Sequence, residues 1–367
     1  LKRALLFTSL LGLMLLAACS STGENTSSNQ SDDTLTIYTS IYPLEDFTKR
    51  VGGEHVQVST LIPPGADSHT YEPTSKEILD IARADAFIFN GLGMEAYVEK
   101  INETLKDEDV LMVEASTGIE AFSHEDEHDH GEETSHEETS HEEDHDHEDG
   151  NHEEEEHDHE EGNHEEEEHD HSEDEETHGE DEHKEDSHDG HDHGDQDPHV
   201  WLDPYRAIVL AENIKNTLIE LKPEAAEEFE QNFESLKQDL EALDEQFHHL
   251  VASKENPEMI VSHAAYGYWE ESYGIKQIPI AGLSSSQEPS QSDLTVLIQT
   301  AKEKDIKYVI FEQNVTPKVA TVIQEEIGAE ALYLHNLSTL TDEDIANGED
   351  YFSLMEKNIE TLDKALR

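Results

Sequence analysis

The sequence predicts an α/β protein of two lobes with mainly parallel sheets, bridged by one long rigid helix. Three observations carry that expectation. Short β-patterned runs alternate with helical runs up to residue 122, and a second alternating series starts near residue 255. Between them the apolar positions Phe229, Phe233, Leu236, Leu240, Leu243, Phe247 and Leu250 recur at three- and four-residue spacing. A helix over residues 223–254 measures on the order of 45 Å, more than one small α/β lobe encloses, so it is expected to link the two series. The third observation is an interruption of 75 residues, 123–197, with no aliphatic or aromatic side chain. Such a stretch has nothing to bury against the entropy cost of ordering, and is expected to be a disordered loop inserted in the N-terminal lobe. Outside it and the leader roughly 250 residues remain, enough for two modest lobes.

Taken in order, residues 34–40 (TLTIYTS) and 56–62 (VQVSTLI) alternate as strands do. Between them PLEDFTKRVGG reads as a helix stopped by Gly52 and Gly53. Residues 74–84 suit a helix capped by Thr74 or Ser75, and residues 86–90 (AFIFN) a buried strand. Residues 204–221 form one amphipathic helix, and Pro223 then stands where a helix accepts a first-turn proline. In the second series, residues 258–261, 275–281 and 308–312 read as strands, and helices are expected over 290–304, 316–327 and 351–366. The N-terminal lobe is thus expected to comprise residues 34–122 and 198–222, and the C-terminal lobe residues 255–367.

The formal charge of −68 is unevenly spread. The tract holds 39 acidic residues against the single Lys184, or −38, leaving −30 for the other 292 residues. No basic patch survives to neutralise phosphates, which excludes nucleic acid as a partner. The tract also holds 18 of the 25 histidines. Imidazole and carboxylate are the side chains that bind divalent transition metals, so it points to metal handling outside the folded part. Its internal repeat, GNHEEEEHDH at residues 150–159 and 162–171, reads as low-complexity expansion. HEDEH (124–128) and HEEDH (141–145) match a zinc-protease pattern, but that motif needs a helix with a packed apolar face, which neither segment has. No nucleophile elbow, P-loop or dinucleotide fingerprint occurs, so no enzyme activity is expected.

At the N-terminus Lys2 and Arg3 precede an apolar run, residues 4–18, of signal-peptide length. It closes with Leu16-Ala17-Ala18-Cys19, which resembles the bacterial lipobox. Residues 1–18 are therefore expected to be a signal peptide and Cys19 a lipidated residue that anchors the protein to the outer face of the cell membrane. The Ser/Thr/Asn-rich residues 19–33 follow as a flexible tether. Cys19 is the only cysteine, so a disulfide framework is ruled out.

Seven histidines lie outside the tract: His55, His69, His199, His248, His249, His263 and His335. Three stand in segments that read as loops after strands: His69 in IPPGADSHTYEP, His199 in DPHVWLDP and His263 in SHAAYGYW. Ligands collect at the carboxyl ends of strands in parallel sheets, and three imidazoles gathered there would suit zinc at about 2.0–2.1 Å per bond. His248 and His249, on the long helix, are expected to face solvent.

Those three motifs in this order, with the lipobox and the His/acid insertion directly before the second, resemble the signatures of zinc-specific substrate-binding lipoproteins of ABC-type uptake systems (the ZnuA/AdcA type, bacterial solute-binding protein family 9). The similarity covers essentially the whole mature chain. It implies a metal site between two lobes, with His69 and His199 from the N-terminal lobe and His263 from the C-terminal lobe. It also implies Zn2+ as transported ligand, delivered by a monomeric receptor to a membrane permease and its ATPase. Manganese-binding relatives carry a carboxylate in place of the third histidine, so His263 favours zinc over manganese. Some relatives supply a fourth, carboxylate ligand from a loop after a late strand. Here LYLHNLSTLT places Ser338, a poor zinc ligand, near that position. Water is the expected fourth ligand, with Glu312, His335 and a tract histidine as alternatives. The competing function is a surface metal buffer or adhesin in which the tract is the main metal-binding element.

Overall fold

The computed structural model describes residues 34–122, 196–284, 286–313 and 317–366. The expected leader, Cys19, the tether and the tract as far as residue 195 lie outside the described residues.

Two four-stranded sheets, each wholly parallel, organise the chain. The first contains β1 (Leu35–Thr39), β2 (Val56–Thr60), β3 (Ala86–Phe89) and β4 (Leu111–Glu114) in the order β2-β1-β3-β4. The second contains β5 (Glu258–His263), β6 (Lys276–Ala281), β7 (Tyr308–Glu312) and β8 (Glu330–Leu334) in the order β6-β5-β7-β8. The winding is the same in both: the second strand lies beside the first, and the third crosses back to its other side. Strand order therefore reverses between β1 and β3, and again between β5 and β7. At such a switch point the connections leave in opposite directions and open a crevice at the carboxyl ends of the strands.

Side chains alternate across each sheet with the two-residue period of a strand. Ile37, Ala86 and Ile88 face a central core with α1 (Tyr42–Gly52) and α4 (Pro204–Leu221), whereas Phe87, Tyr38 and Phe89 face α2 (Ser75–Ile81) and α3 (Val98–Leu105). In the second sheet Val261 and Ile310 turn to the central core, while Ile260, Val309 and Phe311 pack beneath α7 (Gln291–Glu303) and α8 (Lys318–Ile327). Each lobe is a sheet between two helical layers.

The long helix, α5 (Ala226–Val251), runs 26 residues. Pro223 opens a separate 3-10 turn, Pro223–Ala225, rather than the first turn of the helix, because the chain breaks at Lys222 with φ −142° and ψ 72°. All seven of its expected apolar positions are buried. They join α4 and α10 (Tyr351–Ala365) in one core with both sheets, so the linking helix is also the spine of that core. Phe247 stacks on Tyr273 at 4.9 Å between centroids and lies 5.2 Å from Trp269, tying the helix to α6 (Gly267–Tyr273).

β1, α4 and β7 fall where the sequence places them, with termini within a residue. β4, β8, α3, α6 and α9 (Asp342–Asn347) were not expected. The two missed strands lie at sheet edges and show exposed or half-exposed side chains over most of their length, yet neither LMVE nor EALYL alternates apolar with polar residues as a one-sided strand does. β5 extends two residues past its expected end. His263, paired with Ala281, is its last residue rather than a loop residue.

Phe247→Ala should lower unfolding free energy by about 3–5 kcal/mol in a urea titration, the usual cost of emptying a fully buried aromatic site. Gln246→Ala on the exposed face should change it by less than about 0.5 kcal/mol.

Candidate metal centre

His263 and Glu312 end β5 and β7, the two strands that flank the switch point of the second sheet. Both are nearly fully buried, and His263 Nδ1 forms an ion pair with Glu312 Oε1. Glu312 Oε2 accepts from Asn336 Nδ2 at 2.6 Å. With its Nδ1 facing a carboxylate, the ring presents Nε2 to the crevice. Burial acts against a charged imidazole, but the neighbouring Glu312, with Asp197 and Asp67 beyond it, wins and raises the pKa of His263 above its ordinary value. Burial likewise disfavours ionised Glu312, yet His263, His199 and the Asn336 bond hold its pKa below the usual range.

His199 lies in the segment that resumes after the tract. Asp197, fully buried, accepts at one oxygen from both the His199 main-chain N–H (2.9 Å) and its Nδ1 (2.7 Å). The ring is thereby fixed as the Nδ1–H tautomer with Nε2 free. The preceding peptide is held as well, since Asn90, just beyond β3 at the switch point of the first sheet, donates from Nδ2 to Pro198 O at 2.9 Å. Buried Glu95 orients that turn by accepting the Asn90 and Gly91 N–H groups at 2.8 and 3.0 Å. Gly267 is part of the fit: a Cβ there would run into the Asp197 carboxylate and the Phe122 ring.

His69 sits in the loop after β2. Gly65, at φ +74°, turns the chain after two prolines, and Asp67 Oδ1 accepts the His69 N–H at 2.9 Å. Unlike the other two, His69 is only half-buried and forms the solvent side of the cluster.

The three rings converge. His69 Nε2 lies 3.1 Å from His199 Nε2, and His263 Nε2 lies 3.4 Å from the same atom. One nitrogen from each lies within 4.8 Å of the others, the single such group of histidine, cysteine or acidic side chains among the described residues. Three nitrogens each about 2.05 Å from a tetrahedral ion stand roughly 3.3 Å apart, so the cluster has the dimensions of a three-imidazole zinc site.

His335 accepts the Leu337 N–H at Nδ1 (2.9 Å) and pairs through Nε2 with Asp344 (3.1 Å), so neither nitrogen is available as a fourth ligand. Ser338 donates its hydroxyl to Asn336 Oδ1 at 3.0 Å. Glu312 stands behind His263 and not beside its Nε2. Of the alternatives weighed for the fourth position among described residues, none is placed to ligate. His248 and His249 are exposed as expected, and His55 pairs with Glu228 at 3.0 Å. Sequence reasoning missed Asp197, counted there with the tract's acids, and Asn90. Asp197 stands two residues before His199, a spacing that lets one carboxylate reach both the main-chain and ring N–H.

Known proteins resemble this chain over most of its length. The family model described as ZnuA, zinc-uptake complex component A, periplasmic, matches residues 37–365. The zinc-binding lipoprotein AdcA of Streptococcus pneumoniae is 33% identical over 365 residues, 98% of this chain but 60% of AdcA. The high-affinity zinc uptake system protein ZnuA of Bacillus subtilis is 32% identical over 353 residues, 96% of this chain and 94% of ZnuA. Among solved structures, the Zn(II)-bound ZnuA-like domain of S. pneumoniae AdcA superposes with a TM-score of 0.64 at 29% identity, covering 91% of this chain and 99% of that domain. The chain thus spans about three fifths of the length of the streptococcal relatives and nearly all of the bacillar one.

Burial lowers the pKa of His335 below its ordinary 6.5, outweighing Asp344. The unfolded chain therefore binds a proton that the folded chain refuses, and the stabilisation by His335 is complete above pH 6.5 and lost as pH falls through the lower folded value. In urea titrations the stability gap between the unsubstituted protein and His335→Gln should narrow as pH is lowered from 7.5 to 5. A gap that stays constant or widens would contradict this assignment.

Proposed function

Because the chain belongs to the ZnuA family of periplasmic zinc-uptake components, we propose that it is an extracytoplasmic zinc receptor that captures Zn2+ and hands it to an ABC-type permease driven by its ATPase. The convergence of His69, His199 and His263 carries this reading. Each ring offers Nε2, and three imidazole donors are a set that zinc prefers over manganese. Two buried carboxylates, Asp197 and Glu312, stand directly behind two of the rings. They fix the tautomers, raise the basicity of the donors and offset the charge of a dication without occupying its coordination sphere. Water takes the fourth position, on the half-exposed side near His69. Nothing in this arrangement activates a nucleophile, and zinc is cargo.

The rest of the reading follows from sequence. Residues 1–18 direct export, Cys19 carries the lipid anchor and residues 19–33 form the tether. A single receptor molecule suffices, since all three histidines come from one chain. No helix among the described residues is long and apolar enough to cross a membrane. In sequence the tract leads directly into the Asp197–His199 segment; its carboxylates attract cations over about 8 Å at physiological ionic strength, and its histidines supply exchangeable ligands. It acts as a collector that supplies ions to the tight site. Release requires the second sheet, which carries His263, to part from the loops that carry His69 and His199.

Calorimetric titration of a protein lacking residues 125–192 should show one tight zinc equivalent, and His263→Ala in that protein should weaken it by at least about 100-fold. Absence of a tight equivalent in the shortened protein would sink the receptor reading and favour a buffer built on the tract. Zinc must also displace the proton that raised-pKa His263 takes up above pH 6.5. Affinity should therefore begin to decline at a pH above the ordinary histidine value, approaching about tenfold per pH unit for each proton displaced. A flat profile from pH 8 to pH 6 would contradict that.

A further inference from the structure

We infer that Asn336 is a positioning residue for zinc: it ties the carboxylate behind His263 to the segment that carries His199, so that ligands from both sheets are held or loosened together. This rests on the zinc-receptor reading above. Asn336 lies two residues past β8, and every polar group it uses is committed. Its Nδ2 donates to Glu312 Oε2 at 2.6 Å, and Glu312 Oε1 in turn pairs with His263. Its Oδ1 accepts from the Ser338 N–H at 3.1 Å and the Ser338 hydroxyl at 3.0 Å, which fixes the amide orientation. Its main-chain oxygen accepts from Trp201 Nε1 at 2.7 Å, two residues past His199.

The loop around Asn336 is rigid and reaches further. His335 is pinned at its base by reciprocal 2.8 Å bonds with the Asn358 amide. Leu337, fully buried, is held at φ +59°, a left-handed conformation that a leucine adopts only under surrounding constraint. Its N–H is captured by His335 Nδ1. Beyond it, Ser338 O accepts from the Tyr42 N–H at 2.9 Å, Thr339 donates its hydroxyl to Ala66 O at 3.3 Å and Leu340 O accepts from the Gly65 N–H at 2.9 Å. Gly65 and Ala66 belong to the loop that carries His69. One five-residue stretch, 336–340, thus touches the supports of all three histidines, and Asn336 serves two of them.

The chemical consequence lies in Glu312, whose Oε2 accepts from the Asn336 amide. Without that donor the buried carboxylate is free to rotate away from His263 Nδ1, and the ring loses both its fixed tautomer and its aim. Loss of an outer partner of this kind weakens a metal site by about 10–100-fold.

The test uses the full-length protein and zinc alone, reading the slow phase of zinc transfer to a chromophoric chelator, which reports the tight site apart from weak sites in the tract. Asn336→Ala should speed that phase by about tenfold or more, and Asn336→Asp, which sets a carboxylate against Glu312, by at least as much. If Asn336 works through Glu312, adding Asn336→Ala to Glu312→Gln should produce little further change. A merely structural role would give additive effects. Rates within twofold of the unsubstituted protein for both Asn336 variants, or full additivity with Glu312→Gln, would overturn the inference. His263→Ala is measured alongside. If it too leaves the slow phase unchanged, the zinc-site reading itself falls; if it abolishes that phase while the Asn336 variants do nothing, only the role of Asn336 is lost.

Discussion

The segment from Asp197 to Asp203 holds the two lobes to one geometry, and it does so with its own backbone. Pro198 O is bound by Asn90 from the first lobe. Asp197 O, Trp201 O and Leu202 O are bound by the Tyr268 hydroxyl, the Tyr351 hydroxyl and the Trp269 indole at 2.6, 2.6 and 2.7 Å. The Trp201 indole binds Asn336 O in return. Asp203 caps α4 and meets Ser272 and Arg206, and Arg206 covers the Tyr268 ring at 4.5 Å. A short irregular segment would ordinarily lie on the surface, where water satisfies its carbonyls. Here aromatic donors from the second half of the chain replace the water, which lets the segment run through the core and deliver His199 to the gap between the sheets. Removing any one donor would strand a buried carbonyl at a cost of about 1–3 kcal/mol.

With His199 fixed centrally, His69 and His263 are brought to it by different means. His263 is carried rigidly at a strand end and aimed by Glu312. His69 rides on an exposed loop whose stiffness comes from two prolines, the Asp67 turn and bonds to residues 339 and 340. The proposed zinc site is therefore graded, with two buried ligands backed by buried carboxylates and one accessible ligand toward solvent. A receptor that must hold its cargo firmly and still surrender it gains from that gradation, because exchange can begin at the accessible ligand.

Much of this was legible in sequence because its signals are local. The seven-position apolar stripe of α5, the proline that begins α4 and the apolar runs of β3 and β7 each carry their own period or cap. The three histidines stood out because each lies in a dense local motif, His69 in the loop after β2, His263 at the end of β5 and His199 just after the tract. What escaped depends on contacts between residues far apart in the chain. Asp197 looks like one more acid of the tract until it is seen beneath His199. Glu312 looked like a candidate ligand, and only the pairing of β5 with β7 shows that it backs His263. Asn336, 135 residues from Trp201, has no signature at all. The edge strands β4 and β8 were missed because LMVE and EALYL lack the alternation that marks a half-exposed strand, and their pairing with β3 and β7 defines them.

The proposed receptor would bind zinc through three imidazoles and one light non-protein atom. X-ray absorption at the zinc edge, on protein lacking residues 125–192 and loaded with one equivalent, counts those ligands directly. The spectrum should show four-coordinate zinc with three imidazole nitrogens and one oxygen, all at about 2.0–2.1 Å. A first shell with fewer than three imidazoles, or one of five or six oxygen-dominated ligands, would contradict it.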